Sequence, residues 1–75
     1  MKTKQEIKER ISTLEFNNSL IKDPKGHEMN EMRGQELKDI SEMSFSELRN
    51  RFDFLKKQRT READARREQI KWVLE

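Results

Sequence analysis

The chain contains no cysteine and no tyrosine, one proline and two glycines in 75 residues, and no apolar run longer than three residues. Without cysteine there are no disulfides, thiol nucleophiles or thiolate metal sites. With so little Gly, Pro and Tyr, the turn and strand signals of a β protein are missing. The short apolar runs predict neither a signal peptide nor a membrane span, and a cytoplasmic location is the default. A domain this small, with no disulfide or metal staple, commonly gains stability by association.

Charge is abundant. Charged residues make up 43% of the chain, yet the net charge is only +2. Many charges that nearly cancel suit helices with solvated faces better than a self-repelling coil. Ala, Glu, Lys, Leu and Arg together approach half of the residues, which is the texture of coiled coils and long helices.

The pattern predicts one helical domain spanning residues 1–75. Thr3 and Glu6 have capping-box spacing, so a helix is expected over 3–22. Its apolar stripe is Ile7, Ile11, Leu14 and Ile21, with Asn18 at the missing position. Read as a heptad, Asn18 is either a register-setting a residue or a half-exposed residue near the helix end. Asp23-Pro24-Lys25-Gly26 has the residue order of a type I turn, giving a break over 23–27. A second helix is expected over 28–42, carrying Met29, Met32, Leu37, Ile40 and Met43, with Gly34 as a soft spot. Ser44 and Glu47 repeat the capping-box spacing, which places a bend at 41–44 and a long helix over 44–74.

At about 100° per residue, Phe45, Leu48, Phe52, Leu55, Ala63, Ile70 and Val73 share one stripe of that long helix, with Arg59 and Arg66 in its middle. A helix of that length is about 45 Å long, more than the width of a 75-residue globule. That length argues for packing on a second chain, as a homodimer or higher oligomer with coiled-coil-like contacts. The expected fold is all-α: a small helical bundle or hairpin with one long C-terminal amphipathic helix. Helix one runs antiparallel to the C-terminal half of that helix, with Asn18 near Arg59 and Ile7 near Ile70 and Val73.

Second apolar faces are the main candidates for function. Phe54 and Trp72 share a face of the continuous helix with Ala65 between them. Phe16 and Leu20 lie off the main stripe of helix one. Unpartnered faces of this kind mark interaction sites, and Trp and Phe are common energetic centres of interfaces. Arg59 and Arg66 either snorkel, pair with a carboxylate or with Asn18, or meet an acidic partner. A second candidate is the row Arg49, Lys56, Arg67 and Lys71, which could track a phosphate backbone. Against it stand bordering acids and the helix-surface pairs Glu47–Arg51, Asp53–Lys57 and Glu62–Arg66 at i,i+4 spacing. No aromatic platform for single strands accompanies the row.

His27 is the only histidine, and one histidine among scattered carboxylates does not make a metal site. Neither a nucleophile constellation nor a glycine-rich phosphate loop is present, so enzymatic activity and cofactors are not expected. In size and charge density the chain resembles small accessory proteins of bacteria and their phages, a likeness of texture with no shared motif. The function expected is a protein–protein interaction module acting as a regulator, adaptor or inhibitor of a larger protein. Nucleic-acid binding is the alternative, and no membrane partner is expected.

Overall fold

A computed structural model describes all residues from Met1 to Glu75. Four helices and no strands make up the chain: α1 (Lys4–Asn18), α2 (Pro24–Ile40), α3 (Phe45–Lys56) and α4 (Arg61–Leu74). None is long and apolar enough to cross a membrane.

Both capping boxes form as read. Thr3 accepts from the Glu6 N–H while the Glu6 carboxylate accepts from the Thr3 N–H, and Ser44 and Glu47 repeat the arrangement. Helix α1 ends four residues before its expected end. Ser19, Leu20 and Ile21 donate to the carbonyls of Phe16, Asn17 and Asn18, an i to i−3 pattern that tightens and stops the helix. Asp23-Pro24 starts α2 rather than making a free turn. The Asp23 carboxylate accepts from the N–H groups of Lys25 and Gly26, each at 3.3 Å. Pro24 takes the first helical position, where a missing N–H costs nothing. The bend at Ser41–Ser44 is present, closed by Met43 N–H donating to the Ile40 carbonyl at 3.1 Å.

The single helix expected over 44–74 is broken. Lys57–Thr60 turn the chain, and α4 folds back antiparallel along α3, with Phe52 beside Asp64, Arg67 and Lys71, and Arg49 beside Leu74. Thr60 caps the start of α4. Its backbone is extended and its hydroxyl accepts from the Ala63 N–H at 3.0 Å, an N-cap. A continuous helix would hold Arg59 in the middle of an apolar stripe; the turn delivers it to solvent. Folding back also lets Leu48, Leu55, Ala63, Ile70 and Val73 bury against one another, with Ile7, Leu37 and Ile40 from the other two helices. With no helix longer than 17 residues, helix length calls for neither a second chain nor coiled-coil packing.

Helix α1 lies antiparallel on α2: Lys4 pairs with Glu42 at one end and Asn18 meets Asn30 at the other. Helix α4 packs against both α2 and α3. The start of the chain is fastened to its end, since Lys2 N–H donates to the Val73 carbonyl at 2.8 Å. The result is a slab with extents of 37 × 30 × 16 Å. Ile7 joins Ile70 and Val73 in the core as expected. Asn18, expected near Arg59, instead accepts from Asn30 Nδ2 at 2.9 Å.

Candidate functional site

The most buried charge in the molecule is Glu36, whose side chain has no exposed surface. It stands on the apolar stripe of α2, one turn from both Met32 and Ile40, and helix geometry aims it at α3 and α4. Arg51 of α3 grips it through Nε and Nη2, the latter at 2.6 Å, and Arg66 of α4 donates Nη1 to the same carboxylate at 2.8 Å. One carboxylate therefore ties three helices together. The Arg51 guanidinium is held above its ordinary pKa, first by the Glu36 hydrogen bond and then by the charges of Glu36 and Asp39, against the opposing effect of burial. Neither Glu47–Arg51 nor Glu62–Arg66 forms, because both arginines turn inward. Of the readings open for Arg66, pairing across helices is the one realised. Arg59 pairs with nothing and stands exposed in the α3–α4 turn.

Trp72 and Phe54 do not share a face. The break at Lys57–Thr60 removes the continuous helix that would have aligned them. Trp72 is half-buried against the core, and Ala65 is buried. Two cations lie over the Trp72 ring, with Lys2 Nζ at 5.2 Å and Arg10 Cζ at 4.4 Å from its centre. Arg10 is oriented by Gln69, whose Oε1 accepts from its Nε at 2.8 Å. Such stacking suits cations over indole. It also covers part of a ring expected at an interface.

The other apolar candidates remain uncovered. Phe16 is 67% exposed, Leu20 66% and Phe54 59%, and Phe45, expected on the buried stripe, is 57% exposed in the first turn of α3. Only Phe52 among the phenylalanines packs on the core, while Ala63 and Ala65 are buried.

The basic row is broken: Lys56 lies at the α3–α4 turn, while Arg49, Arg67 and Lys71 stay around Phe52 among acids. Arg49, Lys56 and Lys71 are exposed, but Arg67 is bound to Asp64. Arg49 and Lys71 face each other across the α3–α4 seam in company with Glu75, and Glu68 lies one step away. Lys56, the fourth member of the expected row, lies at the hairpin tip, where Lys57, Arg59 and Arg61 outside that row are also exposed.

No protein-family model, curated protein or solved structure matches this chain.

Two further features went unread in the sequence. A polar cleft of about 290 Å³ opens between α1 and α2 beside Leu14, Asn18, Asn30 and Gly34. Asn30 is buried there, and its Nδ2 donates to the Leu14 carbonyl at 2.6 Å as well as to Asn18. His27 pairs with Glu31 at 2.9 Å, and no group of three or more His, Asp or Glu side chains converges as a metal site would require. The signal for Glu36 was available, since an acid four residues from apolar positions on both sides lies on the buried face.

Proposed function

We propose that this protein is a small helical module that binds another protein through apolar side chains its own core leaves outside. The observation that carries this reading is the placement of the phenylalanines. Three of the four are more than half exposed, while alanines occupy core positions. Burying one such ring contributes about 1.5–3 kcal/mol. The bundle forgoes that gain several times over, although its interior is closed and its most buried charge is paired. Phe16 near the end of α1 and Leu20 in the turn that follows mark one exposed apolar region, and Phe54 on α3 marks another. Of the two arginines in the set, Arg66 is engaged by Glu36, while Arg59 is exposed and stays with the Phe54 side. Trp72 serves the fold.

The reading places the module in the cytoplasm as a regulator, adaptor or inhibitor of a larger protein. A second copy of the chain is the other occupant the apolar patches would accept. Light scattering over a concentration series separates the two: a constant mass of one chain assigns the patches to a foreign partner, and a rising mass assigns them to self-association. Affinity capture with wild type and with Phe16→Ser/Leu20→Ser/Phe54→Ser then tests the reading itself. Loss of a partner, or of the dimer, in the triple variant supports it; identical behaviour of the two folded proteins refutes it.

A further inference from the structure

Cations elsewhere in the bundle are mostly spoken for. Lys4, Arg33, Lys38, Arg51, Arg66 and Arg67 have carboxylate partners, and Lys2 and Arg10 lie on Trp72. The α3–α4 tip is different. Lys56, Lys57, Arg59 and Arg61 crowd into six residues, all exposed, and none enters an ion pair. Like charges so close raise one another's energy, and the neighbouring acids relieve it only in part. Asp53 and Glu62 flank the tip, so two of the four positive charges remain uncompensated. Phe54 stands three residues before Lys57, and its carbonyl accepts from the Lys57 N–H at 3.3 Å. That spacing puts the ring and the lysine on one side of the helix end. The tip is thus an exposed ring bordered by free cations.

Building on the protein-interaction reading, we infer that the α3–α4 tip docks an acidic peptide segment carrying one large apolar residue, with Phe54 contacting that residue and Lys56, Lys57, Arg59 and Arg61 facing its carboxylates. Charge complementarity of this kind steers encounter and selects partners, while the apolar contact supplies much of the affinity. A nucleic-acid strand fits less well. A strand needs basic groups continuing along the surface, but beyond the tip Asp64, Glu68 and Glu75 interrupt the α3–α4 face. It also gains from successive stacked bases, and Phe54 is the only exposed ring in the stretch from Phe54 to Arg61.

The test is a titration of the ¹⁵N-labelled full chain with three probes: a twelve-residue Asp/Glu-rich peptide with one central Trp, the same peptide with Ser in place of Trp, and a dodecamer of thymidylate. Shifts confined to residues 54–61 are expected with the Trp peptide, weakening as salt is raised. The Ser peptide is expected to bind about tenfold more weakly or worse. Phe54→Ala should lose a similar factor, and Lys57→Glu/Arg59→Glu should abolish the response; both changes are at exposed positions, and circular dichroism checks that the fold is kept. Equal binding of the two peptides overturns the inference, as does stronger binding of the oligonucleotide or an unmoved tip. If the tip stays unmoved while Phe54→Ser still impairs capture of a protein partner, the error lies in the chemistry assigned to the partner. If capture is also indifferent to Phe16, Leu20 and Phe54, the broader reading fails with it.

Discussion

Replacing Glu36 with Gln keeps the shape of the side chain and removes its charge, leaving two guanidinium groups facing a neutral amide. Glu36 is fully buried, while Arg51 and Arg66 keep 29% and 27% of their side-chain surface. Breaking a fully buried ion pair by removing one partner costs about 3–5 kcal/mol. Water reaches both arginines here, and the Gln Oε1 still accepts one hydrogen bond, so Glu36→Gln falls below that range at about 2–3 kcal/mol and Glu36→Ala in its lower part at about 3–4 kcal/mol. A chain of this size has a total stability of about 4–11 kcal/mol. The Gln variant should therefore melt about 10–20 °C lower, taking about 4–8 °C per kcal/mol. Urea unfolding followed by far-ultraviolet circular dichroism and by Trp72 fluorescence measures the loss with two probes. The companion variant Glu36→Met/Arg51→Met/Arg66→Met removes the whole cluster and should be far less destabilised than Glu36→Ala, because no orphaned charge is left. A loss under about 0.5 kcal/mol for Glu36→Gln, within the range of ordinary surface changes, would refute the view that this carboxylate ties the helices together. The sign of the pH effect follows from Arg51. Its folded pKa is raised, so its contribution is complete at any pH below its unfolded pKa and is lost only as pH climbs through the folded value. Between about pH 6 and 9, Arg51 should add no slope to the stability curve.

Other substitutions test other joints. Gly34→Ala should stabilise the chain by about 1 kcal/mol in urea unfolding, since Ala is the better helix former and an added Cβ would meet nothing within 4 Å. A loss of stability there would mean that the α1–α2 cleft is tighter than described. Thr60→Ala removes the cap of α4 and should cost about 1 kcal/mol by the same assay; no change would show that the turn is set by packing alone. Phe16→Ser/Leu20→Ser should alter stability by less than about 0.5 kcal/mol per site, and a clear drop would place those side chains inside the fold. Arg10→Met should shift Trp72 emission to the red in the folded state by loosening the cover over the ring, and an unchanged spectrum would show that Lys2 suffices.

Local chemistry was legible wherever a side chain speaks to its own backbone. Thr3 with Glu6 and Ser44 with Glu47 announced two helix starts, and the Ile7, Leu37, Ile40, Leu48, Leu55, Ala63, Ile70 and Val73 positions announced the core. The break at Lys57–Thr60 was hidden because it contains neither Gly nor Pro. A lone Thr cap competes weakly with a helical pattern that runs through it, and tertiary packing decided the outcome. That one miss carried others with it: the shared face of Phe54 and Trp72, the single-helix basic row and the inference of a second chain from helix length all presumed an unbroken rod. The pairing of Arg51 and Arg66 was illegible for a different reason. Both had acids at i−4, and only the three-dimensional meeting of α2, α3 and α4 offered a carboxylate that water could not reach. In the candidate site, the exposure of Phe16, Leu20 and Phe54 agrees with their reading as off-core residues, whereas the clamp on Trp72 depends on Lys2 and Arg10, residues far from it in sequence.

The bond from Lys2 to Val73 has a practical corollary for anyone handling the molecule. Beginning and end of the polypeptide sit side by side, at the opposite extremity of α4 from the Lys57–Thr60 turn. A reporter or resin attached at either terminus would therefore leave the hairpin tip clear. Joining the old ends by a short linker and opening the chain within that turn should yield a rearranged protein with the same core and a severed tip, a direct way to separate the scaffold from the surface it displays.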